Sequence, residues 1–131
     1  MSVKKCLAIA FAACLIGNGA NAFELDFSWQ GLKSCTNGYP NRVSNPVFHL
    51  GDVPPGTKYI RFKLVDLDVP NYKHGGGVVA YSGQSTIAAG AFKYKSPCPP
   101  GGSHRYEWRA TAQKKKNGGI IATAKKVRTY P

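Results

Sequence analysis

The chain has 131 residues, with 18 Lys+Arg against 6 Asp+Glu and a formal net charge of +12. That length holds one domain rather than two and can bury about 65% of the unfolded surface, and a 43% hydrophobic share excludes disorder. Its 15 Gly and 9 Pro argue against a helical bundle, and neither a strand–helix alternation nor a glycine fingerprint supports a nucleotide-binding α/β fold.

Lys4 and Lys5 precede an apolar run, Cys6–Gly17, that is short for a bilayer span, and Ala20-Asn21-Ala22 places small residues where a signal peptidase cuts. The expectation is an export leader over 1–22, cleaved after Ala22, and one β domain over 23–131 in the periplasm or outside the cell. Lipidation at Cys14 is the less favoured alternative. Past residue 22 no apolar run is long enough to span a membrane. The remaining cysteines, Cys35 and Cys98, pair in an oxidising compartment; the chain-entropy model gives such a bridge about 4 kcal/mol. No Cys-x-x-Cys supports a redox motif or a zinc ribbon.

Phe23, Leu25, Phe27 and Trp29 alternate with polar residues and predict a half-buried strand. Residues 33–46 read as loop. Val47–Leu50 is a short strand, Pro54-Pro55-Gly56-Thr57 a turn. Ile60, Phe62 and Leu64 alternate with Arg61 and Lys63 in a clear strand running into Asp66-Leu67-Asp68-Val69-Pro70. Gly75-Gly76-Gly77 leaves the backbone unconstrained, so 71–77 is expected to be irregular. Val78–Tyr81 is a short strand, 88–92 is ambiguous and 96–102 is a stiff proline loop. Tyr106, Trp108, Ala110 and Ala112 alternate with Glu107, Arg109 and Thr111, Asn117-Gly118 marks a hairpin turn, and Ile120–Val127 returns as the last strand. The fold class is mainly β, an antiparallel sheet or sandwich with little helix.

Asp66 and Asp68 lie two apart at a strand end, so their carboxylates can share a side. His104 and Tyr106 share a face of the next long strand, with Arg105 pointing away. If those strands are neighbours, two carboxylates, an imidazole and a phenol surround one pocket, with His74 and Pro97, Pro99 and Pro100 between them in sequence. Chelation of a divalent cation by Asp66, Asp68 and His104 is a competing chemical reading. Ser103 beside His104 is no nucleophile motif, since neighbours on a strand face opposite ways.

These segments carry a resemblance. VPPGTKYIRFKLV (53–65), LVDLDVP (64–70), His74 and YKSPCPPGGSHRYEW (94–108) resemble the phosphatidylethanolamine-binding protein family, the Raf-kinase-inhibitor-like proteins. The family pattern is Asp-Pro-Asp-Ala-Pro, a Trp- or His-containing segment, then Gly-Pro-x-Pro-Pro-x-Gly-x-His-Arg-Tyr. The match spans about residues 44–112. It implies a β core with a small pocket for phosphate-type head groups, lined by Asp66, Asp68, Pro97, Pro99, Pro100, His104 and Tyr106, with His74 less firmly aligned. Leu67 and Val69 depart from the motif, glycines follow His74, and Cys98 interrupts the prolines. The relatives' C-terminal helix has no counterpart, so kinase inhibition is not implied.

An anion requires donors, and protonated His104, the Tyr106 hydroxyl and backbone N–H groups of Gly101-Gly102 offer them. The expected function is therefore exported, non-enzymatic binding of small anionic or phosphorylated ligands, phospholipid head groups included, with no cofactor and no metal. A hydrolase or metal-dependent activity at the Asp/His cluster is a weak alternative. The other alternative is a cationic interaction protein. Lys114, Lys115, Lys116, Lys125, Lys126 and Arg128 make a positive edge that would bind a protein or an anionic envelope polymer, the pocket then being vestigial, although lysines on an edge strand also guard against aggregation. Without a nucleic-acid fold signature, nucleic acid is an unlikely partner.

Overall fold

A computed structural model of the protein describes residues 22–131. The expected leader up to Asn21, Cys14 included, lies outside the described residues. Nine strands follow in order: β1 (Glu24–Asp26), β2 (Arg42–Ser44), β3 (Phe48–Gly51), β4 (Tyr59–Asp66), β5 (Gly76–Ala80), β6 (Thr86–Ile87), β7 (Lys93–Lys95), β8 (His104–Lys115) and β9 (Gly118–Tyr130). They form a four-stranded sheet ordered β5-β4-β8-β9, a three-stranded sheet β1-β3-β6 and a β2-β7 ribbon. Every strand pair is antiparallel, and no helix occurs among the described residues.

The period-two segments produce the long strands. Ile60, Phe62 and Leu64 of β4 and Tyr106, Trp108, Ala110 and Ala112 of β8 all point inward and are buried. The three-stranded sheet covers this face: the Phe48 ring stacks on Phe62 at 4.3 Å and meets Trp108 edge-on at 5.0 Å. Tyr94 of the ribbon meets Trp108 from another side at 4.9 Å. Such offset and edge-to-face pairs add about 0.5–1.5 kcal/mol each beyond area burial. Asn45 is buried but satisfied. Its side-chain oxygen accepts the Phe92 N–H at 2.8 Å and its amide donates to the Ala88 carbonyl at 3.1 Å, which fixes the 88–92 segment.

Several expectations change. The first strand stops at Asp26 instead of running to Trp29. Arg128 explains the stop: it donates from Nη2 to Asp26 Oδ1 at 2.8 Å and from Nε to the Phe27 carbonyl, turning the chain across β9. Lys126 lies 3.9 Å from the same carboxylate. Register places both residues on the covered side of β9, opposite Trp108 and Tyr106. Arg128 and Lys126 are thus engaged with Asp26, and only Lys114, Lys115, Lys116 and Lys125 remain exposed from the basic set. The hairpin turn is Lys116-Asn117, one residue earlier than expected, with Gly118 already paired to Lys115. The segments 42–44 and 93–95, read as loop or left unassigned, pair with each other as β2 and β7.

The glycine run is the largest correction. Gly76 and Gly77 are not irregular; they begin β5, opposite Lys63 and Phe62. Glycine is required by close approach. A Cβ at Gly76 would sit 1.8 Å from the Phe62 carbonyl oxygen, and one at Gly77 2.5 Å from the Phe92 ring. The Phe62 oxygen is backbone and cannot step aside without opening the β4–β5 pair. Gly76→Ala is therefore expected to lower the unfolding free energy in urea by about 3 kcal/mol, the upper end of overpacking costs. Gly118→Ala, where a Cβ meets nothing within 4 Å, should stay within about 0.5 kcal/mol of wild type. Equal stability of the two variants would contradict the β4–β5 register.

Candidate functional site

β4 ends at Asp66, directly opposite Tyr106 of β8. Because β8 starts at His104, two residues earlier, His104 and Tyr106 share the face that Asp66 reaches. His104 Nδ1 donates to Asp66 Oδ2 at 2.7 Å. The other oxygen, Oδ1, accepts the backbone N–H groups of Asp68 at 2.9 Å and Val69 at 3.1 Å. This buried carboxylate thus has three donors, as an ionised group out of water requires. The same bonds turn the chain sharply after β4.

That turn separates the two aspartates. Asp68 faces solvent, where Oδ2 accepts the Arg105 N–H at 2.7 Å and Oδ1 a guanidinium N–H of Arg105 at 3.1 Å. The Arg105 backbone bond, then its side chain, holds the Asp68 carboxyl below its ordinary pKa. Spacing by two shares a face only while the chain stays extended, and here it does not. Among the described residues no three His, Cys, Asp or Glu side chains converge as metal ligands.

Three walls complete a hollow of about 250 Å³ around the Asp66–His104 pair. Val69, Tyr72 and His74 form one, Cys98, Pro99 and Pro100 the second, and Gly38 with Pro40 the third. The last is brought in by the Cys35–Cys98 disulfide, whose Cα atoms lie 4.7 Å apart. The Cys35 N–H donates to the Tyr130 hydroxyl at 2.9 Å, anchoring this loop to β9. Gly38, at φ +84°, lies over Pro100: a Cβ there would touch the proline ring at 3.4 Å. Pro97 is fully buried behind the wall and does not line the hollow, nor do Gly101 and Gly102. Ser103 is exposed and faces the terminal Pro131 carbonyl at 3.4 Å. Of the residues singled out from sequence, Asp66, His74, Pro99, Pro100, His104 and Tyr106 meet in one place; Asp68 and Pro97 do not. Gly38, Pro40, Val69 and Tyr72 were missed. The expected disulfide was the available signal for the first two, since any neighbour of Cys35 must lie against the proline loop.

His74 is set by β7. The Lys95 N–H donates to the His74 carbonyl at 2.8 Å, and His74 Nδ1 donates back to the Lys95 carbonyl at 2.8 Å. Nδ1 is then committed as a donor, and the ring stands edge-to-face with Tyr106, their centres 5.6 Å apart. Burial pushes the His74 pKa below the ordinary histidine value of 6.5, and the Lys95 carbonyl only partly opposes it. Burial, then the Asp66 carboxylate, pushes the Tyr106 phenol up, so it stays a protonated donor at neutral pH.

The His74 shift has a sign that can be checked. Between its folded and unfolded pKa the unfolded chain binds more protons at this residue, so its contribution favours folding above about pH 6.5 and is lost as pH falls through the folded value. The unfolding free energy attributable to His74 should decline from pH 7 toward pH 5. His74→Asn, which keeps a donor for the Lys95 carbonyl, should flatten that slope relative to wild type. An unchanged slope, or an NMR titration placing His74 above 6.5, would overturn this assignment.

No family model matches the sequence, and no curated protein matches it. Solved structures do. A phosphatidylethanolamine-binding protein homologue of Chlamydia trachomatis, CT736, superposes with a TM-score of 0.62 at 23% identity, over 86% of this chain and 99% of that one. YbcL of E. coli, a member of the mammalian PEBP family, does so with a TM-score of 0.59 at 17% identity, over 84% and 98%. The Asp66–His104 hollow therefore sits in a chain with the fold of phosphatidylethanolamine-binding proteins.

Proposed function

We propose that the chain is a phosphatidylethanolamine-binding-protein relative that binds a small phosphate-type group without transforming it, and that it does so after export. The observation carrying this reading is the Asp66–His104 pair at the base of a hollow whose other walls are mostly proline, valine and tyrosine. Asp66 does not present a bare carboxylate to a ligand, because its two oxygens are occupied by His104 and two backbone N–H groups. With Nδ1 committed to Asp66, Nε2 is the ring nitrogen of His104 left for a ligand, and it donates to an anion when it carries the second proton. The phenol of Tyr106 is a second donor, while the prolines supply none. The volume, about 250 Å³, is below the roughly 300–1,000 Å³ of pockets that enclose drug-sized ligands. It suits a head group rather than a whole lipid.

Two further features support the details. Val69 and Tyr72 are partly exposed, giving the hollow an apolar edge for an alkyl substituent, and Lys95 Nζ lies 5.8 Å from the Tyr72 ring centre. The Cys35–Cys98 bond fits an oxidising compartment. Covalent catalysis has no candidate nucleophile here, since no free Ser, Thr or Cys side chain lines the hollow and its one cysteine is in the disulfide. The alternative, an interaction protein acting through the basic hairpin, keeps Lys114, Lys115 and Lys116 at the exposed tip but loses Lys126 and Arg128 to Asp26. It has the weaker support.

Thermal unfolding of the oxidised protein with inorganic phosphate or phosphoethanolamine tests the reading. At 100 times its dissociation constant a ligand adds about 2.7 kcal/mol to stability. A rise in Tm that disappears in His104→Ala is the expected result. No rise with either compound, or an equal rise in the variant, would exclude this hollow as the binding site.

A further inference from the structure

A second concavity, a groove of about 570 Å³, lies on the outer face of the four-stranded sheet, between β4, the start of β5 and the 70–73 turn. Its lining includes Arg61, Lys63, Lys73 and Arg109 and no carboxylate. On this face β5 opens with Gly76, directly opposite Lys63, which places no side chain beside the lysine.

Register makes the charge arrangement unusual. Lys63 lies directly opposite Arg109, and Arg109 directly opposite Lys125, so three cations form one row across β4, β8 and β9. Directly opposed residues on antiparallel strands are about 4.5–5.5 Å apart at Cα, and like charges so placed destabilise a sheet. Glu107 offsets one of them, accepting from Arg109 Nε at 2.5 Å. Arg61 is anchored by donation from Nη2 to the Lys116 carbonyl at 3.1 Å and to Asn117 Oδ1 at 2.9 Å. Among the described residues, no ion pair engages Lys63, Lys73 or Lys125. The arginines are held in position by hydrogen bonds, while the lysines stand as point charges around them.

We propose that this groove is a second binding site, for a soluble ligand carrying two or more phosphate groups about 5 Å apart. The spacing follows from the two directly opposed cations that line it, Lys63 and Arg109, one strand step apart. Arginine and lysine together suit phosphate, the guanidinium by its paired donors and the ammonium by its compact charge. Concavity selects the class of partner: a groove of this volume encloses a small polyanion, whereas a bilayer surface meets only its rim. The site is distinct from the Asp66–His104 hollow. Tyr72 is the one residue that borders both.

The test is calorimetric titration of the full oxidised protein with sodium tripolyphosphate, with inorganic phosphate for comparison. Tripolyphosphate is expected to bind at least tenfold more tightly than phosphate. The double variant Lys63→Gln/Lys73→Gln should weaken it tenfold or more. His104→Ala, and Gln at Lys114, Lys115 and Lys116 together, should each stay within twofold of wild type. The two readings fail separately: loss of phosphate binding in His104→Ala tests the head-group reading, and loss of tripolyphosphate binding in the double variant tests this one. Two results overturn the groove: weakening by the hairpin-tip variant equal to that by the double variant, or binding of phosphatidylglycerol vesicles without binding of tripolyphosphate. Lys63→Gln alone should melt at or above the wild-type temperature, because it relieves a like-charge contact; a lower Tm would contradict the repulsive row.

Discussion

The antiparallel register of β4 on β8 places Leu64 opposite Trp108 and, one step of the same face further on, Asp66 opposite Tyr106. A slip of one residue would turn Trp108 to solvent and carry Tyr106 and His104 with it. Core and site therefore share one constraint. The core supplies the energy: each large apolar side chain fully buried contributes about 1.5–3 kcal/mol, and Phe48, Ile60, Phe62, Leu64 and Trp108 are all at or below 1% exposure. A buried carboxylate contributes no comparable term even when hydrogen-bonded, since its bonds mainly offset desolvation. Asp66 is held where it is by the apolar rows behind it rather than by its own interactions.

The rest of the site is a matter of restricting loops that the sheet does not reach. Pro97, Pro99 and Pro100 fix three φ angles in four residues, and the disulfide joins that stretch to the 35–40 loop across a sequence separation of 63. Prolines also remove N–H groups from the wall. The side-chain donors then come from His104 and Tyr106 on β8, and the ring positions of His74 and His104 are each set by a hydrogen bond through Nδ1. A hollow built this way has its ordering entropy already spent in folding, which favours binding of a small ligand that brings few contacts of its own.

What was legible in the sequence follows from the range of each signal. The alternations over Ile60–Leu64 and Tyr106–Ala112 are long enough to declare one buried face, and Asp66 and His104 sit at the ends of those same segments, so their convergence was legible too. Strands β2 and β7 have three residues each, too few for a period to show. The glycine run misled because its constraint comes from the Phe62 carbonyl and the Phe92 ring, neither adjacent in sequence. Asp68 was grouped with Asp66 on a rule for extended chain, and the Asp66 side chain itself ends the extension by capping Asp68 and Val69. Arg128 was counted with the surface cations because composition does not distinguish the faces of β9; pairing opposite Tyr106 does.

The charge imbalance acquires a location once those assignments are made. With 6 acids against 18 Lys+Arg, pairing is scarce, and most of the acids act locally. Asp26 is used by Arg128 and Lys126, Asp68 by Arg105, Glu107 by Arg109 and Asp66 by His104. The exposed pairs among them, those of Asp26 and Asp68, are worth about 0–1 kcal/mol each, so they place chain segments more than they stabilise the fold. Asp26 shows the effect: the Arg128 hydrogen bond lowers its pKa, and the same contact turns the chain out of β1. Of the cations left over, Lys63 and Lys125 flank Arg109 across β4, β8 and β9, the arrangement where register makes repulsion greatest, and Lys63 also borders the groove on the outer face of the sheet. A sheet that needed only solubility would gain as much from the same lysines set diagonally. Directly opposed cations make physical sense where an anion is to be held between them.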